Sequence, residues 1–565
     1  MGAPSLSNAR ETLSRVFGYS AFRPGQSAAV MSVLRGRDTV VILPTGGGKS
    51  LCYQVPALML PGLTIVVSPL ISLMRDQVRA LRAKGVSAAF VNSTLSPAES
   101  SDVLSSAERG LLRLLYVAPE RFEAGDIAER LRRRVSALAI DEAHCISQWG
   151  HDFRPSYRRL SAVRVRLGSP PTIALTATAT PDVRADISSQ LSLANPTVIV
   201  TGFDRTNLEY SAVAAKTDAL KAPLILEAVR SSKGTSIVYA ATKNSVDRIA
   251  ASLNASGVRA GAYHAGLDGE RRKAIQDSFM SGDLRTIVAT NAFGMGIDKP
   301  DVRIVIHHSM PGTLEAYYQE AGRAGRDGKQ SRVVLLHSYA DRFTHEFFIA
   351  NAIPPRAAVE AVYASLLRAA VDGCIPGAAG DLPLPKKPSV SARQLEGAIR
   401  LLVNAGAVTI EPPDSSLARV RLVATPDRIK RELGATDSIE LGLLRELWKH
   451  LRHSPQRSAE VDFNQLPPGL NGFALCRPLL DALQERQFIH WTRTGAGVRL
   501  ADPAKTLAAF RIDWAALERR RKTEFDKLDT MQRYAWTRGC RRTYFLRYFG
   551  ETSLTLQCAS CDNCR

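Results

Sequence analysis

The stretch from Asp141 to Tyr157, D-E-A-H-C-I-S-Q-W-G-H-D-F-R-P-S-Y, decides how the rest of the chain is understood. It follows an apolar run, Val135 to Ile140, which reads as a buried strand. The acidic pair Asp141–Glu142 therefore stands at the C-terminal edge of a sheet, where open α/β folds take their ligands. Asp141 has the chemistry of a carboxylate that holds Mg²⁺. Glu142 has that of a group that orients or deprotonates a water. Trp149, His151, Phe153 and Arg154 then mix aromatic faces with positive charge, a combination that senses unpaired bases and their phosphates. The bland alternative is an acidic surface turn beside a core tryptophan, and the flanking sequence weighs against it.

Upstream, Asp38 to Leu43 reads as a buried strand running into Pro44-Thr45-Gly46-Gly47-Gly48-Lys49-Ser50 and then a helical pattern. Strand, glycine-rich loop, lysine, serine and helix make a phosphate-binding loop. Its glycines let backbone N–H groups approach phosphate oxygens, Lys49 reaches the β- and γ-phosphates, and the Ser50 hydroxyl ligates Mg²⁺. Leu43 stands where the strict pattern has glycine, so the match is to the shorter G-K-S form. Residues 5–35 read as helices broken at Phe17-Gly18-Tyr19 and Phe22-Arg23-Pro24-Gly25-Gln26. Gln26 has the donor and acceptor that read an adenine edge. Tyr19 would stack on the base, and Arg23 belongs to the same nucleotide-binding turn. A plain helical corner is the alternative there.

Further strand–turn–helix units follow at Leu63–Ser68, Leu112–Val117 and Pro171–Leu175. Alternating strands and helices imply a parallel sheet covered on both faces. Gly202 to Leu208 reads as a connector, and a second α/β pattern runs from Ser236 to about Tyr339 without a phosphate loop of its own. It carries Arg323 and Arg326 on a glycine-punctuated turn, where one could enter the first site as an arginine finger. Two solvated surface arginines are the alternative.

Length and charge bound the reading. A chain of 565 residues exceeds one core, so three to five domains are expected. The formal net charge of +20 favours a polyanionic partner, nucleic acid or an anionic membrane surface. No apolar run approaches a bilayer-spanning length, no signal peptide is evident at the start, and no basic amphipathic helix accompanies the charge. A cytoplasmic location is expected, on the nucleoid in a bacterium.

Taken together, F-R-P-G-Q at 22–26, P-T-G-G-G-K-S-L-C-Y-Q at 44–54, S-P-L-I-S-L-M-R-D-Q-V at 68–78, D-E-A-H-C-I-S-Q-W-G-H-D-F-R-P at 141–155, A-F-G-M-G-I-D-K-P at 292–300 and Y-Y-Q-E-A-G-R-A-G-R-D-G at 317–328 resemble the RecQ family of superfamily-two DNA helicases. The likeness covers about residues 8–340, and the aromatic loop is its most specific piece, because related RNA helicases lack it. The resemblance implies two RecA-like parallel-sheet domains and an ATP-dependent DNA helicase moving 3′→5′. By position, Gln26 would read adenine and Lys49, Ser50 and Asp141 would bind Mg-ATP. Glu142 would activate water, and Arg326 with Arg323 would act on the γ-phosphate. Trp149, Phe153 and Arg154 would couple DNA to ATP. The expected partner is DNA, single strands and duplex junctions, met by a monomer. An ATP-gated DNA-binding protein or translocase that does not unwind processively is the alternative.

Residues 354–371 read as a helix and Pro376 to Pro388 as a Pro/Gly-rich linker. An internal echo follows. Helix Ala392–Ala405 leads to strands at 407–410 and 418–424 about a turn at Pro412-Pro413-Asp414. Helix Cys476–Gln487 leads to Phe488 onward and a strand at 498–501. Each reads as a winged helix with a local hairpin, or as one unit and a degenerate partner. The second hairpin, with Trp491 and Arg493, is the better DNA wedge. Last comes Cys540-x₁₇-Cys558-x₂-Cys561-x₂-Cys564. Four thiolates with a compact final trio suit tetrahedral zinc, with free thiols or an iron–sulfur cluster as alternatives. Arg538, Arg541, Arg542 and Arg547 are expected to add phosphate contacts, and loss of the metal is expected to spare basal ATPase. The family's usual order puts the zinc module before the winged helix; here it is last. The expected organisation is an ATP-binding domain at 1–202, a second helicase domain at 203–350, a helix and linker at 351–390, a winged-helix region at 391–510 and a zinc module at 511–565.

Overall fold

The computed structural model describes residues 5–123, 125–147, 149–150, 152–294, 299–370, 373–376, 390–411, 416–433, 439–451, 458–493, 497–552 and 557–565. The chain divides into two compact units, one of residues 1–345 and 523–565, the other of 346–522.

The first unit holds two parallel sheets. β1 (Thr39–Ile42), β2 (Leu63–Val67), β3 (Ala88–Val91), β4 (Leu114–Val117), β5 (Val135–Ile140), β6 (Thr172–Thr176) and β7 (Thr197–Val200) lie in the order β3-β4-β2-β5-β6-β1-β7. Every pairing in this sheet is parallel. Its central strands are apolar runs rather than alternating ones because helices cover both faces. Val40, Val41 and Ile42 of β1 and Ile65, Val66 and Val67 of β2 are wholly buried. The order sets β5, β6 and β1 side by side, so the segments leaving their C-terminal ends share one edge.

β8 (Leu208–Ala214), β9 (Thr235–Tyr239), β10 (Ala260–Tyr263), β11 (Thr286–Ala289), β12 (Val302–His307) and β13 (Ser331–His337) form the second sheet, in the order β10-β11-β9-β12-β13-β8. A separate core around Ile225, Val238, Val246, Val288 and Ile306 holds it. β8 is an edge strand, and its free backbone is taken up by the chain's last residues. Asp562 donates its N–H to Tyr210 O at 3.1 Å and accepts from Ala212 N at 2.8 Å. An exposed strand edge invites foreign pairing, and this contact closes it.

The second unit departs from the sequence expectation. β14 (Cys374–Pro376), β15 (Val408–Glu411) and β19 (Gly497–Leu500) form one antiparallel sheet, ordered β14-β19-β15. β16 (Leu417–Leu422), β17 (Ser458–Asp462) and β18 (Ile489–Arg493) form the other, ordered β17-β16-β18. The expected local hairpins, β15 with β16 and β18 with β19, are not the pairs formed. β15 pairs with β19, and β16 pairs with β18. The segment from β16 to β18 is thus inserted between the paired strands β15 and β19, so each sheet takes its partner strand from across the chain. Segment 351–390, expected as helix and linker, supplies helix Arg356–Ala369 and β14 to the first sheet's module. The expected turn at Pro412–Asp414 lies outside the described residues. β16 suits either partner, because Ala418, Val420 and Leu422 point into a core while Arg419 and Arg421 face out. Alternation fixes which face is buried and leaves the neighbouring strand open.

Candidate nucleotide and nucleic-acid site

The loop after β1 turns at Gly46 (φ +80°) and Gly48 (φ +74°), a left-handed backbone that glycine adopts without steric cost. A Cβ at Gly48 would sit 2.5 Å from Gln26 Nε2, and one at Gly47 would sit 2.8 Å from Pro44 O. Gln26 is buried, and its amide holds this loop: Nε2 donates to Gly47 O and Gly48 O, each at 3.0 Å, and Oε1 accepts from Arg23 N at 2.9 Å. Arg23 also donates to Gly46 O. The group expected to read a base edge is here engaged with the loop backbone. Tyr19 stands 53% exposed, as a stacking ring must.

Across the edge, Asp141 ends β5 with its N–H on Val67 O at 2.9 Å. Burial and the adjacent Glu142 charge push its carboxyl up to about 7, against the lowering pull of Lys49. Glu142 sits in the left-handed region at φ 48°, a conformation costly for a residue with a Cβ and frequent at functional sites. His144 reaches Thr176 Oγ1 at 2.8 Å and Glu142 Oε2 at 3.4 Å, so the ends of β5 and β6 are wired together. Thr45 Oγ1 is buried without a hydrogen-bond partner among the described residues. A carboxyl raised by burial at the end of β5 and an orphaned hydroxyl in the loop after β1 are what a bound cation and phosphates would satisfy. The oxygen donors Ser50 and Asp141 suit magnesium.

The second sheet meets this loop directly. A Cβ at Gly322 would fall 2.9 Å from Thr45 Cβ, so only glycine permits the approach. A Cβ at Gly46 would lie 3.4 Å from Arg326 Cγ, which puts the Arg326 side chain over the phosphate loop. Arg323 is separate from it. It is 3% exposed and lies under the Gly294 backbone, its positive charge opposing the rise that burial gives Tyr239. The two arginines, alike in sequence, therefore occupy different places.

Sequence reasoning passed over Arg205. It donates to Thr45 O at 2.8 Å, Gly322 O at 3.1 Å, Ala324 O at 2.9 Å and Gly325 O at 3.0 Å. One guanidinium in the connector thus clamps the loop of one sheet to the arginine turn of the other. Asn207 adds bonds to Gly325 O and Lys329 O. An arginine and an asparagine in a connector too short to have its own core were the available signal.

The aromatic loop leaves the same edge. Trp149 is 44% exposed, and Phe153 is half-buried. Arg154 pairs with Asp152 at 3.1 Å and donates to Pro69 O at 2.9 Å, which ties this loop to the segment after β2. His151 lies outside the described residues. Buried Lys527 donates to Gly150 O at 2.9 Å. This contact joins the loop to helix Trp514–Trp536, which leads into the cysteine module.

In that module the four sulfurs of Cys540, Cys558, Cys561 and Cys564 all lie within 4.8 Å of one another. A tetrahedral ion with Zn–S of about 2.3 Å spaces its sulfurs by about 3.8 Å. The cluster fits one ion and leaves no room for several bridged irons. Arg541 and Arg542 are not phosphate contacts. Both are buried, Arg541 on Asp562 and Tyr534 O, Arg542 on Leu208 O at 2.9 Å. Arg538 and Arg547 remain exposed. Trp491, expected as a wedge, packs against Phe473 at 5.7 Å on the core of its own sheet. The side chain of Arg493 lies outside the described residues.

Family models match three segments: DEAD/DEAH box helicase at residues 23–187, helicase conserved C-terminal domain at 216–328 and RecQ zinc-binding at 504–565. The probable ATP-dependent DNA helicase RecS of Bacillus subtilis (strain 168) is 43% identical over 339 residues, covering 60% of this chain and 68% of the relative. The chain belongs to the RecQ family. The ATP-dependent DNA helicase RecQ of Bacillus subtilis (strain 168) is 48% identical over 348 residues, covering 61% of this chain and 58% of the relative. The one from Pasteurella multocida (strain Pm70) is 44% identical, with 57% of the relative covered. The chain therefore spans well under two thirds of these two RecQ relatives. Among solved structures, the DEAD-box helicase Mss116 bound to ssRNA and UDP-BeF aligns at TM-score 0.51 and 16% identity, over 62% of this chain and 76% of that one. At that identity the likeness speaks for the fold: two RecA-like parallel sheets. With the RecQ zinc-binding match and the four clustered thiols, the C-terminal segment is a zinc-binding module. It follows residues 391–510 in sequence, yet it packs with the two RecA-like sheets, as the bonds to β8 and to the connector require.

Proposed function

We infer that the chain is an ATP-dependent DNA helicase moving 3′→5′, acting as a monomer on single strands and duplex junctions in the cytoplasm, on the nucleoid in a bacterium. The observation that carries this reading is the side chain of Arg326 over Gly46, with Gly322 against Thr45 and Arg205 bonded to both segments. Two sheets meeting across a phosphate loop make a motor, because hydrolysis at the seam changes how they are held. Lys49 grips the β- and γ-phosphates, and Glu142 takes a proton from the attacking water. Arg326 meets the charge that develops on the transferred group. Magnesium, held by Ser50 and Asp141, would neutralise the β- and γ-oxygens. Arg323 holds the second sheet's turn in place. Strand displacement on a 3′-tailed duplex with ATP tests the reading. ATPase without displacement would favour the ATP-gated translocase, and stimulation by RNA over DNA would favour an RNA helicase.

Coupling is assigned to the aromatic loop. Trp149→Ala is expected to leave basal ATPase near wild type and to remove most DNA stimulation. DNA binding itself should weaken only moderately, since one base–aromatic stack contributes about 1–3 kcal/mol. Lys527→Ala, which frees Gly150 O, is expected to blunt stimulation in the same way. Measuring ATPase against DNA concentration checks both, and normal stimulation in either variant removes that residue from the coupling path.

A further inference from the structure

Three large aromatic rings in the first unit face solvent together: Tyr339 and Phe343, each 57% exposed, and Trp536, 52% exposed. Tyr339 and Trp536 lie 6.1 Å apart and 15° from parallel, and Phe343 meets Tyr339 edge-on at 5.4 Å. Their arrangement is braced from below. Between them Arg342 bonds Asp529 Oδ1 at 2.6 Å and Gln532, locking helix Ala340–Ala352 to helix Trp514–Trp536. Clustered, immobilised rings left open to water cost free energy that a bound partner would recover.

The same turn borders a polar pocket of about 190 Å³ at the C-terminal edge of the second sheet, lined by Lys216, Thr242, Ser245, His308, Ser338 and Thr344 among others. Its two acidic residues are already paired, Asp218 with Arg248 and His308, Asp341 with Lys221. The exposed cations Lys216, Arg533 and Arg538 are close in sequence to the pocket or the rings. Near-parallel rings beside a polar cleft, with Lys216 on its lining and the exposed Arg533 and Arg538 flanking Trp536 in sequence, match the stacking platforms of single-strand binders.

We propose that Tyr339, Phe343 and Trp536 form a second base-stacking platform, distinct from the aromatic loop, that takes unpaired nucleobases of a single strand without regard to sequence. The proposal rests on the DNA-motor reading and names a contact that reading does not require. Trp536 is one of five tryptophans and lies on the platform, so its emission reports the contact.

The test is a titration of the full-length, zinc-loaded protein with oligothymidylate. Tyr339→Ala and Trp536→Ala are each expected to weaken binding about tenfold, the effect of losing one stack. The salt dependence of binding should stay as in wild type, because no phosphate contact is removed. Basal ATPase and zinc content should also be unchanged. Trp536→Phe keeps a stacking face and should bind as wild type, and the oligonucleotide should quench less tryptophan emission in it than in wild type. If Tyr339→Ala does not fold, Trp536→Ala, at an exposed helix end, decides alone. Wild-type affinity in the alanine variants, with wild type itself binding, overturns the platform and leaves the motor reading standing. Failure of wild type to bind the oligonucleotide overturns both.

Discussion

Arg326→Ala is expected to bind ATP with near wild-type affinity and to hydrolyse it roughly 10³-fold more slowly or worse, the effect of removing an arginine finger. The side chain lies over Gly46 from the other sheet, and as a finger it would act on the γ end alone, so it should contribute little to ground-state binding. An interaction made only as charge develops lowers kcat without raising KM. Lys49→Ala provides the contrast, because a lysine inside the loop grips the phosphates throughout, and its loss should abolish hydrolysis. Arg323→Ala should behave differently again. That guanidinium is buried under Gly294 and beside Tyr239, so its removal should lower stability and activity together. Equilibrium binding of a fluorescent ATP analogue and single-turnover hydrolysis separate the three. An Arg326 variant that loses nucleotide binding but keeps its turnover per bound ATP would end the finger assignment.

The two parallel sheets and the phosphate loop were legible because their signals are local. A strand, a glycine loop and a lysine are contiguous, and buried parallel strands write themselves as unbroken apolar runs such as Thr39–Ile42 and Leu63–Val67. Which strands neighbour one another is less local, and there the reading broke down. The strands expected at 407–410 and 418–424 read as a hairpin because short connections usually join sequential strands. Both strands are amphipathic, and nothing in alternation says that β15 belongs with β19, nearly ninety residues on. Arg541 and Arg542 failed for a related reason. An Arg-Arg pair beside a cysteine motif looks solvated, and only the docked fold reveals the carbonyls of 205–208 and Asp562 as its partners. Arg205 carried only the faint signal of an arginine in a short connector, because its targets are backbone carbonyls in two distant loops, which leave no mark in side-chain pattern.

Loss of the metal should reach further than the tail itself. Cys561→Ser removes the fully buried thiolate of the four and is expected to release zinc. Zinc binding contributes an apparent ~10–16 kcal/mol in finger peptides, as much as a typical domain's whole stability, so residues 540–565 should unfold. The sequence alone suggests that basal ATPase would survive this. The structure argues otherwise. Arg542, held by the module, donates to the carbonyls of Thr206 at 3.3 Å and Leu208 at 2.9 Å, and Phe549 stacks on Phe203 at 4.4 Å. These contacts brace the connector that carries Arg205, whose guanidinium clamps the phosphate loop to the arginine turn. Unfolding the module should therefore loosen the seam between the sheets, so basal ATPase falls along with DNA binding. It also exposes the β8 edge that Asp562 covers, so aggregation should rise. Arg542→Ala with zinc retained isolates the bracing effect and should lower ATPase by itself. Elemental analysis, thermal melting and ATPase on the two variants check the chain of cause. A Cys561→Ser protein with full zinc, or a zinc-free protein with wild-type basal ATPase, would break it.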